Sequence, residues 1–125
     1  ADATLDERLR AAEALLGANL TAAAAAAYEG VLTVAHDHPE ALLRLGQIKF
    51  WANDPGGALP LLERRLAMAL DGDAARAQTH FGLAEALRFT GQSAQAVAEY
   101  QEFLRIDPGS RDADVAKRAI DSLKE

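Results

Sequence analysis

The chain has three histidines, and two of them, in His36-Asp37-His38, stand at a spacing that could begin a metal site. Two imidazoles supply only two nitrogens, whereas a zinc or copper site takes a third and usually a fourth donor at a regular spacing. No cysteine is present to provide one, which also removes thiolate nucleophiles, iron–sulfur clusters and disulfide frameworks. Ser93, Ser110 and Ser122 sit at or near expected helix ends, where capping accounts for two of them, and no G-x-S-x-G turn or base partner accompanies any. Asp112 and Asp114 form a carboxylate pair, but acidic residues in a helix's first turn answer the positive end of its dipole and need no acid–base role. The glycines match no phosphate loop. No metal, cofactor or catalytic residue is expected, and the chain is read as a protein other than an enzyme.

Thirteen basic against nineteen acidic residues leave a net charge of -6, the wrong sign for tracking phosphates or for an anionic membrane surface. Nucleic acid is therefore not an expected partner. The longest stretch without a charge, Ala14 to Tyr28, is about a turn short of a membrane span and is broken by Gly17, Asn19 and Thr21. Asp2, Asp6 and Glu7 lie within the first ten residues, so no basic-then-apolar secretory leader is visible there. An alanine at position 1 suggests a processed or trimmed chain. The compartment stays open between a cytoplasmic protein and the soluble part of a periplasmic or membrane-tethered precursor. Ten arginines against three lysines, with abundant alanine, hint at a GC-rich bacterial genome.

At 125 residues and 13.3 kDa, the chain suits a single domain. It holds 29 alanines and 18 leucines but only seven valines and isoleucines together, a balance that favours helices over strands. Internal periodicity then decides the architecture. Ala24, Ala58 and Ala96 recur with a bulky residue four later, at Tyr28, Leu62 and Tyr100, and with Leu32, Leu66 and Leu104 beyond that. The rows step by 34 and then by 38. The same steps link Ala12, Gly46 and Ala84; Ala11, Leu45 and Leu83; and Asn19, Asn53 and Gly91. The additional four residues, about Asp73 to Arg76, amount to roughly one helical turn, and are expected to lengthen a helix without moving its buried face.

Each unit reads as helix, short turn, helix. Thr4-Leu5-Asp6-Glu7 fits a capping box opening the first helix, and Gly17 to Leu20 closes it. Thr21 is expected to cap the second, whose alanines Ala22 to Ala27 let two backbones approach closely. His38-Pro39-Glu40 opens the third. Asn53-Asp54-Pro55-Gly56-Gly57 is a turn, with the fourth helix from about Gly57 and Pro60 tolerable in its first turn. Asp71 or Asp73 opens the fifth, Gly91 ends it, and Ser93 caps the sixth up to Ile106. A seventh helix, about 111–124, places Val115, Ala116, Ala119, Ile120 and Leu123 on one stripe, as a solvating cap for the last repeat.

These rows resemble the tetratricopeptide repeat, which combines a small residue after leucine on its first helix with A-x3-[FY] on its second and a closing proline. Leu45-Gly46, Leu83-Ala84, Ala24 to Tyr28, Ala58 to Leu62, Ala96 to Tyr100 and Pro108 carry the resemblance over about Leu5 to Ser110. The family's tryptophan slot holds Arg8, Leu42 and His80 instead, its tyrosine slot Leu15, Lys49 and Leu87, and its closing proline is lost at His36 and Leu70. The resemblance implies an all-α solenoid of three antiparallel helix pairs, at about 5–38, 39–72 and 77–110, followed by the cap. It also implies a right-handed superhelix whose concave face is formed mainly by the first helix of each pair.

On that implication the concave face takes Leu9, Arg10 and Glu13; Leu43, Arg44, Gln47, Phe50 and Trp51; and Phe81, Glu85, Arg88 and Phe89. Arginines and aromatics of this kind are enriched at the energetic centres of interfaces. The expected function is a scaffold that binds a peptide or protein segment in this groove. Apolar side chains of the partner would rest on Phe50, Trp51 and Phe89, and Arg10, Arg44 or Arg88 would meet an acidic group. The alternative is a self-associating scaffold of a larger bacterial cell-envelope assembly, docking through the first helix and the alanine-rich second.

Overall fold

The computed structural model describes residues 4–69 and 72–125, and among these it contains seven helices and no strand. They are α1 (Leu5–Gly17), α2 (Thr21–Val34), α3 (Pro39–Trp51), α4 (Pro55–Ala67), α5 (Arg76–Phe89), α6 (Ser93–Ile106) and α7 (Ala113–Leu123). Each helix packs on the next, and α3 also reaches α5, so the molecule is a linear stack of antiparallel helices.

The three tight turns share one backbone device. Asn19, Asn53 and Gly91, one row of the repeat, have φ of 63°, 66° and 80°, the left-handed region that asparagine and glycine tolerate best. In each turn the following amide donates to the carbonyl five residues back: Leu20 to Leu15, Asp54 to Lys49 and Gln92 to Leu87, all at 2.9 Å. This is the Schellman closure, which satisfies carbonyls left open at a helix end. Leu20, Asp54 and Gln92 are also the N-caps of α2, α4 and α6. Thr21 and Ser93 are thus already the first helical residues and do not cap, contrary to expectation. Only Asp54 carries a side chain suited to the role, and its Oδ1 accepts from the Gly57 amide at 2.9 Å. α4 accordingly begins at Pro55, and Pro60 falls beyond the first turn, on an exposed position.

At the start of α1 the Glu7 amide donates to Thr4 Oγ1 at 3.1 Å, but the Glu7 carboxylate takes the Thr4 hydroxyl, so half of the reciprocal capping box forms. His38 caps α3 by accepting the Ala41 amide at Nδ1, with Pro39 at the first helical position. The inserted residues lengthen the connection between α4 and α5, and not a helix, as α5 starts only at Arg76. Asp73 holds that connection: its carboxylate accepts two bonds from the buried Arg65 guanidinium, at 2.8 and 3.0 Å, and one from the Ala75 amide at 2.9 Å. The backbone bond and the guanidinium together hold its pKa below the usual carboxylate range. Asp71 lies outside the described residues.

The core has two parts that meet in α3. Leu45 and Ile48 belong to one cluster with Ala12, Ala24, Tyr28 and Val31, while Leu43 belongs to the other with Leu62, Leu83, Tyr100 and Phe103. In α7, Ala113, Ala116 and Ala119 are buried and Ile120 and Leu123 pack against the core, whereas Val115 lies outside this stripe and is exposed.

Candidate functional site

Between α3, α5 and the α6–α7 connection runs a groove of about 590 Å³. α3 supplies Arg44, Gln47, Phe50 and Trp51, which fall on one face because they lie three or four residues apart or adjacent at the helix end. α5 supplies Gln78, Phe81, Gly82 and Glu85 by the same spacing. Asp107, Arg111 and Asp112, from the chain reversal after α6, form the third wall.

Of the residues expected on the concave face, Arg44, Gln47, Phe50, Trp51, Phe81 and Glu85 line this groove. Trp51 is 61% exposed. Arg44 is internally engaged, its Nε on Glu40 and its Nη1 on Gln47, both at 2.9 Å. Phe81 has two roles, for it also packs on Phe103 and edge-on to Tyr100, with ring centroids 4.9 and 6.0 Å away. Phe89, 60% exposed, stands beside the groove with its ring 5.5 Å from that of Phe50, and the Arg88 guanidinium lies 5.2 Å from the Phe89 ring. Arg10 and Glu13 are exposed on α1, away from this groove. Leu43 is buried in the core, and Leu9, half-buried on α1, packs against the core and does not line this groove.

The tyrosine of each outer unit shows how the groove wall is anchored. Tyr100 is wholly buried and donates its hydroxyl to Glu85, and burial, then this carboxylate, push its pKa far up. Tyr28 is equally buried, its hydroxyl has no hydrogen-bond partner among the described residues, and burial with the charges of Glu40 and Glu13 raises its pKa as well. His80, in the family's tryptophan slot, is buried with Nδ1 paired to Glu99. His38 spends Nδ1 on its cap, and among the described residues no group of three or more His, Cys, Asp or Glu is placed to hold a metal. Nor, among them, is any helix long and apolar enough to cross a membrane.

Gln78, Asp107, Arg111 and Asp112 were not foreseen. Gln78 could have been found, one turn before Phe81 on the same face. The other three depend on where the chain goes after Ile106, where the closing Pro108 signals a turn but not its path.

The tetratricopeptide repeat family model matches residues 65–110. No curated protein matches the chain. Among solved structures, MamA 41-end from Desulfovibrio magneticus RS-1 aligns with a TM-score of 0.77 at 18% identity, covering 97% of this chain and 74% of that one. A MamA RS-1 double mutant aligns at 0.76 and 19%, covering 96% and 73%. A further MamA structure aligns at 0.77 and 18%, covering 96% and 67%. At these identities the likeness is one of fold.

Proposed function

We propose that this chain of tetratricopeptide repeats is a non-catalytic interaction module that holds a segment of another protein in the groove between α3 and α5. The observation that carries this reading is Trp51, a large apolar side chain 61% exposed at the wall of the groove, beside Phe50. Such an aromatic contributes wide contact area at small entropic cost, and its exposure in the free chain is what a partner would remove. The repeat fold supports the same reading, as stacked helix pairs present an extended concave surface.

A photo-reactive residue in place of Trp51, compared with one at the exposed Ala26 of α2, tests it in cells of the source organism. A partner crosslinked from position 51 and not from 26, and lost from pulldowns with Trp51→Ala at unchanged helicity, is the expected result. Equal crosslinking from both positions would move the working surface elsewhere. If the species caught at 51 is a second copy of this chain, the self-associating scaffold takes the place of the receptor, and light scattering across a concentration series would show its mass rising.

A further inference from the structure

We infer that the groove takes an extended, neutral segment whose main chain lies against Gly82; the inference rests on the groove being the working surface proposed above. Charge does not choose the ligand here. Arg44, Arg88 and Arg111 stand around Glu85, Asp107 and Asp112, and Arg44 is held by Glu40 besides, so the two signs nearly cancel. A charge-balanced groove suits a segment without net charge.

The observation that points to a ligand is Gly82. It lies in the interior of α5, where glycine is less favourable than alanine, and packing does not call for it. A Cβ there would meet nothing nearer than Leu62 Cδ1 at 3.4 Å, whereas at Gly46 the same side chain leaves no room. Leu62 also lines the groove, so that Cβ would stand on the groove floor. A helix that gives up stability to leave its backbone bare at such a floor admits something closer than a methyl group would allow.

Gln47 and Gln78 flank this floor from α3 and α5. Gln47 spends its Oε1 on Arg44, which leaves its Nε2 as donor, and the Gln78 carboxamide makes no hydrogen bond among the described residues. Donors and an acceptor of this kind match the N–H and C=O groups that an extended chain leaves open. A helix bonds those groups internally and is 10–12 Å across with its side chains, so it offers no bare main chain to Gly82. In an extended segment alternate side chains point to opposite faces. One set then rests on Phe50, Trp51 and Phe81, and the other faces solvent.

Trp51 is the only tryptophan, so its emission reports the groove directly. The probes are a capped octapeptide alternating leucine with serine, its twin N-methylated on the serine amides, and a stapled helix of the same composition with its leucines on one face. The alternating peptide is expected to shift Trp51 emission to the blue, to saturate, and to bind more tightly than the other two. Gly82→Ala should weaken it roughly tenfold, because a methyl group overfills a close contact, although the protein melts no lower. Gly30→Ala, inside α2 where a Cβ meets nothing within 4 Å, should leave binding unchanged. Gln78→Leu should cost about two- to tenfold, the worth of one neutral hydrogen bond.

Full binding to Gly82→Ala, equal binding of the N-methylated twin, or tighter binding of the stapled helix would each overturn the inference while leaving a working groove. If no peptide perturbs Trp51 but position 51 still crosslinks a partner, the extended-chain assignment fails and the groove stands. If both readouts are silent, the groove reading fails with it.

Discussion

Replacing Gly46 by alanine should destabilise the protein by about 1 kcal/mol, whereas the same change at Gly82 should stabilise it by a similar amount. Both glycines are inside helices and both face Leu62, which is wholly buried. Alanine in place of glycine inside a helix gains about 1 kcal/mol. At Gly82 a new Cβ would stand 3.4 Å from Leu62 Cδ1 and 3.7 Å from Cδ2, close to ordinary contact, so the gain is kept. At Gly46 it would stand 2.7 Å from Cδ2 and 2.8 Å from Cγ. Cγ cannot be moved without turning the whole side chain, and overpacking of this kind costs about 1–3 kcal/mol. The net loss at Gly46 is the difference. Leu62→Ala alone should cost about 2–5 kcal/mol, yet in that background Gly46→Ala should turn favourable, a coupling of about 2 kcal/mol. Urea denaturation followed by circular dichroism at constant m measures all four corners of the cycle. Additive effects, or a Gly46→Ala protein as stable as Gly82→Ala, would refute the assignment of this close approach.

Other consequences follow from the turns, the inserted connection and the two tyrosines. Asn53→Ala should lose about 1 kcal/mol and Asn53→Gly nothing in the same urea assay, because φ of 66° strains a Cβ-bearing residue without asparagine's local bonding. Asp73→Asn should cost about 1–3 kcal/mol at neutral pH by leaving the buried Arg65 guanidinium without its carboxylate. Because the folded pKa of Asp73 is depressed, that contribution is complete above the unfolded value near 4 and is lost as pH falls through the folded one, so the stability curves of wild type and variant should converge in acid. Tyr100→Phe should destabilise, by removing the donor to Glu85, while Tyr28→Phe should be neutral or favourable, since its hydroxyl is buried without a partner. Both tyrosines have raised pKa values, so their stabilisation is present below about 10 and fades as pH rises above it; tyrosinate absorbance should therefore appear together with loss of helix.

The helix pairs were legible because an alanine and a bulky residue four later must face the same neighbour, and one register repeated through the chain permits one way of stacking. The asparagine row was legible as a row, and only the backbone shows why it exists: each member is the left-handed residue of a closure that ends one helix and caps the next. That double duty is what misled the reading of Thr21 and Ser93, since the cap position had already been taken by Leu20 and Gln92. The insertion was misread for another reason. Its fate is set by Asp73 reaching Arg65 eight residues back, a long-range pairing that outweighs the local tendency to continue a helix. In the groove, the α3 and α5 walls followed from helical spacing, and the neutralisation of Arg44 was readable in principle, Glu40 being four residues earlier. The third wall was not, because Pro108 marks a turn after Ile106 without setting the path beyond it.

The groove opens where the repeat breaks its own pattern. Glu13, Gln47 and Glu85 occupy one slot on the first helix of each pair, and Tyr28, Leu62 and Tyr100 the slot fifteen residues later on the second. In the third unit carboxylate and hydroxyl bond across the helix pair, tying Glu85 to the core. The second unit has leucine where the hydroxyl would be, so Gln47 has no such tie and instead accepts from Arg44 at the groove wall. Leucine branches at Cγ where a tyrosine ring is flat, and this unit alone has glycine in the Ala12, Gly46, Ala84 row, which leaves room for that branch. Gly82, in the slot of Arg10 and Arg44, removes the side chain that would otherwise fill the space between α3 and α5. Phe50 and Trp51, at the end of α3, then border a gap that a regular repeat would have closed. Refilling it, with Gly82→Arg, should restore the regular pattern and with it occlude the groove: Trp51 should become less accessible to a quencher at unchanged helicity, and any ligand that depends on the gap should be lost.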